Sequence, residues 1–160
     1  MKERHFSTSF TSYDSPEQLP ATLQSLLAEA VNVLGRAHAP YSNFYVGAAI
    51  LLKNGVVLSG ANQENAAYPM CLCAERVALA TAHSQYPDVP ILSIAITIKN
   101  PAQVIQQPAA PCGACRQVIC ETEQRYQQPM QVLLRGEVGE IFVFKSGKDI
   151  LPFSFDGTYL

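Results

Sequence analysis

Apolar residues recur at helical spacing early in the chain: Leu23, Leu26, Leu27, Ala30, Val31 and Leu34 follow the pattern of a helix with one buried face. Ser15 suits the N-cap of that helix, Pro16 its first turn and Glu17 the positive end of its dipole, and Gly35 with Pro40 ends it. Two apolar runs, Val46 to Leu52 and Val56 to Ala61, then flank Lys53-Asn54-Gly55. Asn-Gly between such runs predicts a hairpin of antiparallel strands. Cys73 to His83, rich in Ala and Leu, predicts a second helix. Ile91 to Ile98 is β-branched and apolar on both faces, the pattern of a central strand. Asn100 to Pro111 holds three prolines and three glutamines, which predicts a loop or an insertion. A third helix follows from Cys112 to about Glu123, then strands at Gln131 to Leu134 and Ile141 to Phe144, and an aromatic tail from Asp149. This order implies an α/β fold, with a mixed sheet of about five strands flanked by helices. Residues 1–14 are rich in Ser and Thr, with Phe6, Phe10 and Tyr13 interspersed, and read as an extended or mobile arm.

A chain of 160 residues suits one domain with a substantial core, so residues 1–160 are expected to form a single unit. Its 11 basic and 13 acidic side chains give a net charge of -2, which supplies no broad cationic surface for a phosphate backbone. A small substrate is favoured over nucleic acid. Met1 to Pro20 is polar and does not read as a signal peptide, and no apolar run reaches membrane-spanning length. Five cysteines, an odd number, read as thiols rather than as a disulfide framework, which places the expected compartment in the cytoplasm.

Those thiols change the picture. "PMCLCAERVAL" sets Cys71 and Cys73 directly before Glu75 and Arg76, and "PCGACRQVI" sets Cys112 and Cys115 three residues apart. At the start of a helix two residues three apart share a face and can grip one ion. A helix N-terminus also lowers a thiol's pKa, and the thiolate is the form that binds metal. Two helix starts could therefore bring Cys73, Cys112 and Cys115 to one zinc and leave a fourth position open, the feature that separates catalytic from structural sites. Glu75, two residues beyond Cys73, can stand beside the metal without ligating it, take a proton from water and pass it to a leaving group. Three thiolates on Zn²⁺ carry one net negative charge, and Arg76 and Arg116, each next to a motif residue, together with the helix dipoles are candidates to offset it. Alternatives remain at this level: Cys71 as a fourth ligand of a closed structural site, or a redox pair. Cys120, in an apolar run, reads as a core residue.

"CAERVAL" with "PCGACRQV" resembles the paired signature of the zinc nucleoside deaminases. "YSNFYVGAA" at Tyr41 to Ala49 and "NQENAAYP" at Asn62 to Pro69 make the chain similar to the homotetrameric cytidine deaminases, a resemblance running from about Ala39 to Phe155. The resemblance implies a three-layer α-β-α sandwich of the cytidine deaminase type, with one zinc per subunit on Cys73, Cys112 and Cys115, and Glu75 as proton shuttle. It implies that Asn62 and Glu64 bind the ribose hydroxyls and that Phe44 lines the nucleoside pocket. Tyr68 and Phe155 would be aromatics exchanged between neighbouring subunits of a homotetramer. The implied activity is hydrolytic deamination of cytidine and deoxycytidine in pyrimidine salvage, with neither nucleic acid nor membrane as partner. Two other readings stand beside it: a deaminase of a related nucleoside such as blasticidin S, and a non-catalytic zinc-stabilised binding module. The chain departs from the pattern at Gln63, usually aliphatic, in its longer loop from Asn100 to Pro111, and in an additional N-terminal segment of about fifteen residues.

Overall fold

Pro20 decides where the first helix begins. In the computed structural model, which describes residues 1–160 apart from the side chain of Tyr159, Pro16–Gln18 forms only a 3-10 turn. Leu19 is extended, as a residue before proline is driven to be, and helix α1 runs over Ala21–Val33. The expected start at Ser15 is thus displaced. The buried stripe is Leu23, Leu26, Leu27, Ala30 and Val33, with Val31 on the exposed side. Each fully buried leucine there contributes roughly 1.5–3 kcal/mol.

The strands are β1 (Thr11–Tyr13), β2 (Tyr45–Leu52), β3 (Val57–Ala61), β4 (Ile91–Lys99), β5 (Gln131–Arg135) and β6 (Ile141–Phe144). They form one mixed sheet in the order β1-β6-β5-β4-β2-β3. The β4–β5 pairing is parallel and the pairings β1–β6, β2–β3, β2–β4 and β5–β6 are antiparallel. The sheet has six strands where about five are expected, because the N-terminal arm adds Thr11–Tyr13 along β6. Phe10 anchors that edge, its ring 4.5 Å from Phe142 and 5.2 Å from Phe144.

Helices α2 (Ala74–Gln85) and α3 (Gly113–Tyr126) cover one face of the sheet and α1 the other, giving three layers. The period of two along the central strands sorts the core. Ala48, Ile50, Ile94, Ile96, Val132 and Leu134 face α2 and α3, whereas Ala49, Ala95 and Leu133 face α1. Gly60 on β3 brings α2 close: a Cβ there would stand 2.8 Å from the Ala74 carbonyl oxygen and 2.7 Å from the Ala78 nitrogen. Among the described residues, no helix is long and apolar enough to cross a membrane.

Candidate active site

Register puts several chain segments at one end of the sheet. Tyr45 pairs with Lys99 and Gly47 with both Ala61 and Thr97, so β2 begins where β3 and β4 end. The segments leaving β3 and β4 lead to the first turns of α2 and α3, which lie on the same face. Cys73 is the N-cap of α2 and Cys112 the N-cap of α3, both with extended backbone, and Cys115 is buried in the first turn of α3. The three sulfurs lie within 4.8 Å of one another, and the Cys73 and Cys112 sulfurs are 3.9 Å apart.

A hydrogen bond from the Cys115 thiol brings Cys73 down to about 6, against burial and the Glu75 charge, with Cys112 and the Arg76 charge adding to the effect. Cys115 is pushed up in turn, by that same bond to Cys73 and by burial. Glu75 is 3% exposed, and burial raises its carboxyl above the ordinary carboxylate range. A cluster of three sulfur donors, with one thiol already poised toward thiolate, suits zinc. Cys71 stands apart. It lines the same hollow, but its sulfur accepts from the Asn65 amide at 3.2 Å and lies 3.6 Å from the Asn65 carbonyl oxygen. Among the described residues the cluster therefore offers three donors, with no fourth thiol closing it.

Through Cys73 and Cys112 the cluster opens onto a cavity of about 520 Å³ whose lining also includes Phe44, Asn62, Glu64 and Glu75. Asn62 is tied to the start of β2: its Oδ1 accepts from the Val46 amide at 2.8 Å and its Nδ2 donates to the Phe44 carbonyl at 2.9 Å. One N–H and one lone pair of that side chain remain for a ligand. The Glu64 carboxylate accepts from the Tyr41 amide at 2.9 Å, the Ser42 amide at 3.3 Å and the Ser42 hydroxyl. Those bonds, led by the one from the Ser42 hydroxyl, hold its pKa below the usual range. Ser42 and the Tyr41 amide are the residues that sequence reasoning passed over. The turn that aims them, with Asn43 at φ 53°, was signalled only by Ser-Asn after Tyr41.

Other expected residues lie farther out. Tyr68 is 69% and Phe155 58% exposed, and neither lines this cavity, although Tyr68 packs edge-on against Tyr41 at 6.0 Å. Arg116 donates from Nε to the Pro111 carbonyl at 2.8 Å and from its terminal nitrogen to the Ile150 carbonyl at 3.0 Å. Arg76 borders a separate hollow between α2 and α3. Among the described residues, neither guanidinium hydrogen-bonds a sulfur. Arg76 acts on Cys73 through its charge.

Residues 20–127 match the family model described as the cytidine and deoxycytidylate deaminase zinc-binding region. The chain is 40% identical over 133 residues to a cytidine deaminase of Halalkalibacterium halodurans, an alignment that covers 82% of this chain and 92% of that one. Its fold is similar to the crystal structure of cytidine deaminase from Burkholderia pseudomallei, with TM-score 0.71 and 39% identity over 82% of this chain and 97% of that one. The cytidine deaminase from Mycobacterium tuberculosis is similar as well, with TM-score 0.65 and 28% identity over 86% of this chain and 99% of that one.

Proposed function

The chain belongs to the cytidine and deoxycytidylate deaminase family, and on that premise we propose that it hydrolyses cytidine and 2'-deoxycytidine to uridine and 2'-deoxyuridine, releasing ammonia. The observation that carries this reading is a cluster of three sulfurs that meets one cavity through Cys73 and Cys112, with the buried Glu75 carboxylate lining the same cavity. Cys73, Cys112 and Cys115 hold one zinc per subunit. Bound there, zinc supplies the acidity that makes water nucleophilic near neutral pH. Glu75 takes the proton from the attacking water and delivers it to N3 of the cytosine ring as C4 is attacked; it then takes the second proton from the new C4 hydroxyl, as that becomes a carbonyl, and passes it to the amino nitrogen, which departs as ammonia when its bond to C4 breaks. Burial suits Glu75 to this work, because a carboxyl with a raised pKa gives up its proton later and takes one more readily.

Asn62 and Glu64 bind the ribose hydroxyls with the hydrogen-bonding capacity their backbone contacts leave over. A site built with such polar groups discriminates against a ligand without their partners, so free cytosine is a poor substrate. Phe44 borders the nucleoside. Tyr68 and Phe155, outside the cavity of their own subunit, complete a neighbour's site in a homotetramer. Arg76 and Arg116 offset the negative charge of the sulfur cluster by their fields, and Arg116 also fixes the segment before Cys112. The protein acts on nucleosides in pyrimidine salvage in the cytoplasm. Cytidine, deoxycytidine, cytosine and blasticidin S, assayed side by side for ammonia, test the reading. Equimolar uridine and ammonia from cytidine are expected, and turnover of blasticidin S alone, or of nothing, overturns it.

A further inference from the structure

One wall of the cavity, Ala109 to Pro111, belongs to the loop that leaves β4 and ends at Cys112. That loop contains no helix or strand, yet it is pinned at two places. Near its middle the Ile105 carbonyl accepts from the Glu137 amide at 2.7 Å and from the Val138 amide at 3.3 Å, in the turn between β5 and β6. At its end the Pro111 carbonyl accepts from Arg116. The first anchor works only because the turn has no side chain where the loop crosses it. A Cβ on Gly136 would stand 2.5 Å from the Ile105 carbonyl oxygen and 2.7 Å from that of Gln107, about 0.9 Å and 0.7 Å short of ordinary contact. Gly136 is itself held from below, its carbonyl accepting from the buried Thr97 hydroxyl at 3.0 Å.

We infer that Gly136 is a positioning residue for the nucleoside pocket: by letting the loop settle on the β5–β6 turn, it sets where the Ala109–Pro111 wall stands. The inference rests on the reading of the cavity as the nucleoside site. Because the Arg116 anchor guards the Cys112 end of the loop, a disturbance at Gly136 reaches the wall before it reaches the metal cluster.

The test is steady-state kinetics of the zinc-loaded, full-length Gly136→Ala and Thr97→Val variants, with zinc content measured in parallel. Thr97→Val removes the support under Gly136 without filling the crossing, and it carries the test if Gly136→Ala does not fold. The expected result is a KM for cytidine raised at least about fivefold in Gly136→Ala and by a smaller factor in Thr97→Val, with kcat and zinc content near wild type, the signature of lost binding. An unchanged KM in the folded variants overturns the inference. So does activity that falls only in step with zinc at constant KM, since the contact would then be structural support alone. If wild-type protein turns over no cytidine, it is the reading of the cavity that fails, and the two failures are distinguishable.

Discussion

Replacing Glu75 by Gln keeps the side chain's shape and removes its capacity to exchange a proton. Because Glu75 is 3% exposed, bulk water cannot readily stand in for it. General acid–base catalysis contributes about 10²- to 10⁴-fold, or roughly 3–5.5 kcal/mol of barrier, and the burial of this group argues for the upper end. Stability should move the other way. The carboxyl bears a desolvation cost in its charged form, so the amide variant is expected to melt no lower than wild type. The assay follows the ultraviolet absorbance of cytidine, with ammonia release as a check and metal analysis on the same sample. Glu75→Gln is expected to hold zinc at the wild-type level and lose at least about 1000-fold in kcat, towards the upper part of that range. A zinc-loaded variant within about tenfold of wild type would refute the assignment, since a buried proton shuttle is worth far more than that.

Cys112→Ala is expected to lose zinc and activity together. Chelation of the wild type should lower its melting temperature as well, because a ligand at 100 times its Kd stabilises by about 2.7 kcal/mol, a shift that scanning calorimetry reads directly. Asn62→Ala leaves the Val46 amide and the Phe44 carbonyl without their partner, at roughly 1–3 kcal/mol for each buried group left unsatisfied. Its kcat/KM should fall steeply for cytidine and hardly at all for cytosine, which has no sugar to lose; equal falls would contradict the ribose role. For Glu64 the sign of the pH effect is fixed by its hydrogen bonds, which favour the ionised form and hold its pKa down. KM in the wild type should accordingly stay flat into mild acid. Ser42→Ala removes the leading one of those bonds and should move the acid rise in KM to higher pH, as a pH series of KM will show.

Local patterns announced much of the scaffold. The turn at Asn54-Gly55 joins β2 to β3 as an antiparallel pair, and the β-branched run from Ile91 became the central strand β4, paired on both sides. The cysteine pattern at two helix starts likewise reports a real juxtaposition, since Cys73 and Cys112 are N-caps and their sulfurs meet Cys115. What escaped was whatever depends on distant partners. β1 has three residues and no periodicity of its own, and it exists because β6 offers an edge and Phe10 two rings to pack on. The pattern of apolar positions tolerates a start of helix α1 at Ser15, whereas Pro20 forces an extended residue ahead of the helix and moves its start to Ala21. The grip of Ser42 on Glu64 spans 22 positions, and the Arg116 contact with Ile150 spans 34, so neither leaves a mark in local sequence.

The chemistry proposed for this site depends on three sulfurs around one zinc with a side left open. X-ray absorption at the zinc edge, on protein whose metal content has been measured, examines that arrangement most directly. It should find one zinc per chain bonded to three sulfurs at about 2.3 Å and to one lighter atom. Four sulfur neighbours, or a purified active enzyme without zinc, would contradict it.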